Sequence, residues 1–241
     1  MQARITTLFI DDGGVMNDNA RRGPEWSRLL AEFFVPRLGG SRAAWEAANR
    51  DIDRLIQGVL TPSAGGQDYL AWYDAYLVRW LKEMAAVVGV ATPADDARCL
   101  ELSCEARDYI TERVRSAYPG AVEAIGALRE MGFRLFTASG THSRELGGYL
   151  RGMGIHQHFE ALYGPDLVNR GKDTIDYYRR VFAHSGVAPE QSLVVDDNPQ
   201  NLAWAGSLGA ATCLVSQSPP PRVEATFIVS SLSDLPAALG K

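Results

Sequence analysis

Two pairs of acidic residues and one lysine have types and spacing that could do chemistry together. Asp11-Asp12 directly follows one apolar run, and Asp196-Asp197 directly follows another. Lys172, one of only three lysines in the chain, lies before the second pair. A carboxylate that attacks a phosphate group is repelled by its charge, and Mg²⁺ held by carboxylates relieves that repulsion. A lysine can neutralise the transferred group, and an aspartate can accept that group covalently.

A third polar group, Thr137-Ala138-Ser139, ends the apolar stretch FRLF. Its hydroxyl and backbone amide groups could donate hydrogen bonds to phosphate oxygens. In open parallel sheets, ligands bind at the carboxyl ends of the strands. We therefore expect Thr137, Ala138 and Ser139 to meet Lys172 and the two acidic pairs in one crevice.

The elements that must position these residues follow from the hydrophobic pattern. Short apolar runs alternate with segments of helical periodicity in the second half of the chain. This alternation predicts an α/β fold with a parallel sheet and helices on both of its faces. Strands are predicted at residues 5–10, 133–139, 160–164, 192–197, 211–215 and 226–231.

A long helical region interrupts this pattern after the first strand. Apolar residues recur at helical spacing from about residue 24 to residue 115, with no strand pattern among them. The sequence therefore predicts an α/β core made of residues 1–18 and 115–241, with an all-helical insert at 19–114. The predicted helix starters in the insert are Ser41, Ser63 and Thr92.

Composition limits the partners of the protein. The 241 residues carry a formal net charge of −5, which argues against nucleic acid as the main partner. No apolar run is long enough to span a membrane, and the N-terminal run is too short for a signal peptide. The three cysteines are odd in number and lack metal-binding spacing. We expect a cytoplasmic protein that acts on a small molecule, and the sequence assigns no oligomeric state.

The order of these motifs resembles the haloacid dehalogenase superfamily over almost the whole chain. The resemblance implies a Rossmann-like core with an inserted helical cap. It also implies a Mg²⁺-dependent hydrolase that forms an aspartyl-phosphate and dephosphorylates a small phosphorylated metabolite. The matching residues are Asp11 as nucleophile in Asp11-Asp12-Gly13-Gly14-Val15, Thr137 in the second motif, Lys172 in the third, and Asp197 as magnesium ligand in LVVDDNPQN.

The resemblance further implies that Mg²⁺ sits between Asp11, the carbonyl oxygen of Gly13 and Asp197, with Asp196 behind the ligands. Phosphatases of the family usually carry an aspartate at the position of Gly13, where it protonates the leaving oxygen. This acid is missing here, and general acid–base help is typically worth about 10²–10⁴-fold. Asp12 is a poor substitute because strand alternation points it away from Asp11, whereas His142 is conceivable.

Two other functions stay open. A dehalogenase on the same scaffold attacks carbon and needs no magnesium, and such relatives typically lack the acidic pair seen at Asp196-Asp197. A catalytically weak module that binds a phosphorylated ligand or regulates another protein is the other alternative. Keeping Asp11, Lys172 and Asp197 argues against this second alternative, because such groups are costly to keep without a ligand.

Overall fold

The predicted strands form one sheet in the computed structural model, which describes residues 4–56, 69–218 and 222–240. The strands are β1 (Thr7–Ile10), β2 (Arg134–Ala138), β3 (Phe159–Tyr163), β4 (Ser192–Asp196), β5 (Ala211–Val215) and β6 (Phe227–Val229). They lie in the order β3-β2-β1-β4-β5-β6, and every neighbouring pair is parallel. The predicted parallel α/β fold is confirmed. The carboxyl end of β1 consequently lies between those of β2 and β4.

Helices cover both faces of the sheet. Of the α-helices in the described residues, α6 to α11 belong to the same unit as the sheet. The helices are α1 (Asn19–Leu38), α2 (Arg42–Arg50), α3 (Ile52–Ile56), α4 (Tyr69–Val88), α5 (Asp96–Thr111), α6 (Ala121–Glu130), α7 (Ser143–Met153), α8 (Pro165–Val168), α9 (Ile175–Ser185), α10 (Pro199–Ser207) and α11 (Leu235–Leu239). Leu8 and Ile10 of β1 pack in the core that includes α6, α7 and α11. Phe9 between them packs in the core that includes α9 and α10, where it stacks on Phe136 with 5.2 Å between ring centroids. Strand alternation thus produces two apolar cores.

The chain folds into two compact units. The first consists of the described residues of Met1–Asn19 and Ser116–Lys241, and it contains the whole sheet. The second is Ala20–Arg115, and its described residues form helices and their connections. Its core contains Trp45, which stacks on Phe34 with 4.7 Å between ring centroids. The role of this unit as a cap stays a prediction.

The predicted helix starters of the second unit have different outcomes. Ser41 caps α2, where its hydroxyl accepts a backbone N–H of the first turn at 3.2 Å. Ser63 lies outside the described residues. Thr92 as a helix starter is wrong, because Asp95 caps α5 and accepts the Arg98 N–H at 2.7 Å. A carboxylate suits this position because it satisfies an unpaired N–H and also opposes the positive end of the helix dipole.

The helices of the described residues include none that is long and apolar enough to cross a membrane. The two 20-residue helices, α1 and α4, each carry several charged side chains. Cys99 and Cys213 are buried, as expected for cysteines that serve as small apolar residues, whereas Cys104 is only partly buried.

Candidate active site

The two acidic pairs lie together at the carboxyl ends of the neighbouring strands β1 and β4. Asp11 is the first residue after β1, and its N–H donates to the carbonyl of Val195 in β4 at 2.9 Å. Asp196 is the last residue of β4, and Asp197 follows it. Because β1 and β4 are adjacent and parallel, one carboxylate oxygen each of Asp11, Asp196 and Asp197 lie within 4.8 Å of one another.

Lys172 lies against two of these carboxylates. Its Nζ is 3.0 Å from Asp11 Oδ1 and 2.7 Å from Asp196 Oδ2, and its side chain is only 5% exposed. Burial by itself would lower the pKa of Lys172, but attraction to Asp11 and Asp196 outweighs burial and raises it. The lysine is therefore held in its charged form between the two acids.

The loop between α8 and α9 carries Lys172. The sequence pattern places Lys172 at the start of a helix, but α9 begins three residues later, at Ile175. Hydrogen bonds hold this loop, since the Arg170 N–H donates to Pro165 O at 2.9 Å and Arg180 Nη1 donates to Val168 O at 3.0 Å. A loop fixed in this way holds the lysine in place better than a side chain on a free surface.

Asp196 is completely buried, and hydrogen-bond donors surround both of its oxygens. Besides Lys172, it accepts from the Asn198 N–H at 2.8 Å, from Asn201 Nδ2 at 3.1 Å on each oxygen, and from the Tyr178 hydroxyl at 3.4 Å. A carboxylate has about four lone-pair sites in all. Asp196 therefore orients Lys172 and has little capacity left for a metal ion.

Asp197 differs from Asp196 in being exposed. A cleft of about 430 Å³ in the sheet-containing unit adjoins it. Desolvation of its carboxylate, followed by repulsion from Asp196, raises the pKa of Asp197. Asp11 shows the same crowding, because burial and Asp196 together raise its pKa to about 7 against the opposing effect of Lys172. The cluster holds three acids and one lysine, which leaves an excess of negative charge.

The turn after Asp11 fits closely against Asp197. Gly14 has a φ of +85°, and a Cβ at this position would lie 2.0 Å from Asp197 Oδ2. Only glycine allows both the left-handed backbone and this approach. Asp12 is turned into the interior, where it is fully buried and accepts from Asn17 Nδ2 at 2.6 Å. Gly13 lies in the same turn and forms an isolated bridge with Asn17.

The second strand presents Ser139 rather than Thr137 beyond its carboxyl end. Thr137 pairs with Ile10, one residue before Asp11, and its hydroxyl donates to Tyr163 O at 3.3 Å inside the sheet. Ala138 is the last residue of β2, so Ser139 is the first residue past the strand. The structure thus brings Asp11, Lys172 and the Asp196-Asp197 pair together, and it leaves the Thr137 hydroxyl bonded within the sheet.

Three supporting residues were missed by the sequence reasoning. Tyr178 and Asn201 contact Asp196, and the Tyr177 hydroxyl donates to Ser139 O and to Tyr163 O, both at 3.0 Å. The two adjacent tyrosines on the apolar face of α9 were a signal, because buried hydroxyls need partners. Asn201 lies four residues after Asp197, in the first turn of α10, on the side that faces the strand end.

His142, considered above as a replacement acid, is the N-cap of α7. Its Nδ1 accepts the Arg144 N–H at 3.1 Å, and its side chain is 14% exposed. The same Nδ1 lies 3.7 Å from Asp166 Oδ2. The ring nitrogen that faces α7 is therefore engaged in capping.

Comparison with known proteins agrees with this fold. A family model for haloacid dehalogenase-like hydrolases matches residues 19–209, which is most of the chain. The protein belongs to the haloacid dehalogenase-like hydrolase family. The matched range includes Lys172 and Asp197.

Curated relatives include both a phosphatase and a dehalogenase. Phosphoglycolate phosphatase from Rhodospirillum rubrum is 29% identical over 101 residues, which is 42% of this chain and 42% of that protein. (S)-2-haloacid dehalogenase 1 from Pseudomonas sp. strain CBS-3 is 29% identical over 129 residues, or 52% of this chain and 56% of that protein. The chain spans about half the length of the curated relatives it matches.

Solved structures share the fold over nearly the full length. The defluorinating L-2-haloacid dehalogenase Rha0230 has a TM-score of 0.67 and 15% identity, covering 98% of this chain and 96% of that chain. The HAD-hydrolase YfnB from Bacillus subtilis, solved bound to magnesium, has a TM-score of 0.63 and 19% identity, covering 99% and 100%. At these identities the likeness establishes the fold alone.

Proposed function

We propose that the protein is a Mg²⁺-dependent phosphatase that acts on a small phosphorylated metabolite through an aspartyl-phosphate on Asp11. One observation carries the proposal: the carboxylates of Asp11, Asp196 and Asp197 lie within 4.8 Å of one another, and Lys172 is the cation that contacts Asp11 and Asp196. With all three acids ionised, the cluster and its one lysine would carry a charge of −2, and the raised pKa values of Asp11 and Asp197 reflect this crowding of negative charge. A divalent cation would neutralise this charge, whereas carbon-directed dehalogenation has no use for it.

The donor set fits magnesium. Mg²⁺ prefers carboxylate and carbonyl oxygens at about 2.0–2.1 Å and usually keeps several waters. Asp11 and Asp197 would supply carboxylate oxygens and Gly13 its carbonyl, while Asp196 stays bonded to Lys172 and Asn201. When bound, the ion would shield Asp11 from the charge of the phosphate and stabilise charge that develops on the transferred group.

The residues of the chain divide the rest of the reaction among them. A carboxylate oxygen of Asp11 attacks phosphorus, the bond to the leaving oxygen breaks, and that oxygen takes a proton from water. Lys172 stabilises the oxygens of the transferred group, and we assign the hydroxyl contact to Ser139 in preference to Thr137, while the Ser139 N–H stays bonded to Tyr163 O at 3.0 Å. Water then attacks phosphorus, which releases inorganic phosphate and restores the Asp11 carboxylate.

We also propose that the helical unit Ala20–Arg115 serves as the cap that selects the substrate. The resemblance to the haloacid dehalogenase superfamily implies this role for a helical segment inserted after the first motif. The described residues of the unit form their own core around Trp45 and Phe34, so the segment is built as a folded unit and not as a connecting loop. The position of the insert directly after the turn of Asp11 supports the assignment.

A dehalogenase is the second candidate, because curated relatives of both kinds match the chain. One panel separates the candidates: phosphate release from phosphometabolites, including sugar 1-phosphates and acyl phosphates, and halide release from 2-haloacids, each with Mg²⁺ and with EDTA. We expect phosphate release that requires Mg²⁺ and is abolished in Asp11→Asn, since an amide cannot act as the nucleophile. Halide release that is insensitive to EDTA would refute the phosphatase.

The same panel tests the weak binding module. If the protein releases neither phosphate nor halide from any compound but binds Mg²⁺ and inorganic phosphate, the module is the correct reading. Full activity in Asp11→Asn would be more damaging, because it would remove the covalent mechanism. If the panel identifies a phosphate substrate, Thr137→Ala and Ser139→Ala test which hydroxyl contacts the phosphate. We expect the larger loss of kcat for Ser139→Ala.

A further inference from the structure

A chain of three buried polar side chains lies beside the turn that carries Asp11 and Gly13. Asn17 Nδ2 donates to Asp12 Oδ1 at 2.6 Å, and Ser116 Oγ donates to Asn17 Oδ1 at 2.8 Å. Asp12, Asn17 and Ser116 are 0%, 2% and 1% exposed. A buried polar network of this kind costs free energy in desolvation and is retained only where its hydrogen bonds are complete. The completeness of this network points to a role beyond packing.

The network closes the turn on itself. The carbonyl of Asp12 accepts the N–H groups of Val15, Met16 and Asn17 at 3.4, 2.8 and 2.8 Å, and the Gly14 N–H donates to Asn17 O at 2.8 Å. The side-chain bond from Asn17 back to Asp12 therefore joins the two ends of a turn that the backbone already closes. Gly13 and Gly14 lie inside this turn, and Gly14 lies against Asp197.

Ser116 ties the turn to a segment 99 residues away. The Asp18 N–H donates to Ser116 O at 2.8 Å, the Tyr118 N–H donates to Met16 O at 2.9 Å, and Asn17 bridges Ala117 in antiparallel pairing. These are the points where the chain leaves the sheet-containing unit and where it re-enters it. Hydrogen bonds thus attach both segments that join the two units to the turn that carries Asp11.

We propose that Asn17 and Ser116 are positioning residues that fix the turn from Asp11 to Gly14, and with it the proposed magnesium ligands. Neither side chain needs to touch substrate or metal; each acts through Asp12. The inference rests on the proposed function, because the turn matters to catalysis only if Asp11 and Gly13 serve it. Without the Ser116 hydroxyl, Asn17 Oδ1 loses its donor and the amide is free to rotate away from Asp12.

The deciding measurement is hydrogen exchange of the backbone amides of residues 14–17 by NMR, in Ser116→Ala and in the control Ser192→Ala. Ser192 is equally buried and donates one hydrogen bond to Pro189 O at 2.7 Å. It lies at the amino end of β4, whereas the acidic pair lies at the carboxyl end. We expect exchange about tenfold faster or more in Ser116→Ala only, the effect of one ordinary lost hydrogen bond on local opening.

Magnesium titration of the same variants, followed by calorimetry, gives a second readout. We expect weaker Mg²⁺ binding in Ser116→Ala by about tenfold or more, the usual effect of losing a group that supports metal ligands, and wild-type binding in Ser192→Ala. Ser116→Thr keeps the hydroxyl and should stay close to wild type. If Ser116→Ala does not fold, Ser116→Cys keeps a weaker donor and should show intermediate exchange.

Unchanged exchange of residues 14–17 in Ser116→Ala, or an equal change in Ser192→Ala, would overturn the positioning role. The failure of the proposed function would look different. A wild-type protein that neither binds Mg²⁺ nor releases phosphate removes the phosphatase, while amide exchange still decides whether Asn17 and Ser116 hold the turn.

Discussion

Gly14 and Asp197 are in contact so close that a single carbon atom added to Gly14 would lie 2.0 Å from Asp197 Oδ2. The two residues come from turns after β1 and β4, 183 positions apart in sequence. Gly14 also has a φ of +85°, which side chains other than hydrogen adopt at a cost. The proposed metal ligand Asp197 is thus seated directly on the turn of the proposed nucleophile.

Replacing Gly14 with alanine should therefore displace the Asp197 carboxylate. We expect Gly14→Ala to weaken Mg²⁺ binding and lower kcat by about 10–100-fold, as for losing the support of a metal ligand. Gly132→Ala is the matched control, since Gly132 has a φ of +89° and open space around the added carbon. It should lose about 1–2 kcal/mol of stability from the left-handed backbone and keep its activity. Equal Mg²⁺ binding in both variants would contradict the prediction.

Asp196 and Asp197 should respond differently to the same substitution. Asp197→Asn removes a proposed ligand and should raise the half-saturating Mg²⁺ concentration by about tenfold or more. Asp196→Asn should lower kcat with little change in that concentration, because Asp196 is occupied by Lys172, Tyr178 and Asn201. Magnesium titrations of the initial rate separate the two effects. A larger shift of half-saturation in Asp196→Asn would reverse the assignment of the ligand.

Lys172→Met should reduce both activity and stability. The variant leaves the buried Asp11 and Asp196 without their shared cation, and breaking a buried ion pair from one side costs about 3–5 kcal/mol. Urea unfolding in EDTA would measure this loss, and kcat should fall by about 10²-fold or more. Lys82→Met is the control, because its partner Asp96 is 71% exposed and surface pairs contribute little. Comparable destabilisation by the two substitutions would be inconsistent with the structure.

Because no acidic side chain stands at Gly13, we expect the rate of hydrolysis to depend on how basic the leaving group is. Aryl and anomeric phosphates leave as weak bases and should be hydrolysed faster than alkyl phosphates by about 10²-fold or more. Gly13→Asp should narrow this ratio, and its backbone allows the side chain because Gly13 is not among the glycines with positive φ. Rates would be compared on phenyl and alkyl phosphates. Equal rates would point to another acid, with His142 tested first by His142→Gln.

The fold could be predicted from the sequence, as could the grouping of the acidic pairs with Lys172. Apolar runs ending in acids predicted the carboxyl ends of β1 and β4, because an apolar run of strand length bounded by acids and turn residues is typical of a buried strand and its end. Alternation of strands and helices then required a parallel sheet, which places all such ends at one edge. Asp11, Lys172 and Asp197 could be grouped from these rules and from the order of the motifs, with no knowledge of pairing register.

The tertiary structure was needed to show which side chains at the carboxyl ends of the strands are free of hydrogen bonds within the sheet. The register of β1 against β2 puts Thr137 level with Ile10, so the Thr137 hydroxyl bonds within the sheet and Ser139 follows the strand end. A one-residue difference in register exchanges such roles, and no local pattern sets it. The helix predicted to start near Lys172 likewise begins later, at Ile175.

The roles of Asp196 and Ser116 could not be predicted from the sequence for the same reason. Adjacent aspartates look alike in sequence, yet Asp196 is saturated by donors from two helices and a loop while Asp197 is exposed. Ser116 reaches Asn17 across 99 residues, a separation over which sequence spacing carries no distance information. Hydrogen-bond partners are fixed by packing of the whole chain, and packing decides whether a carboxylate is a buried anchor or an available ligand.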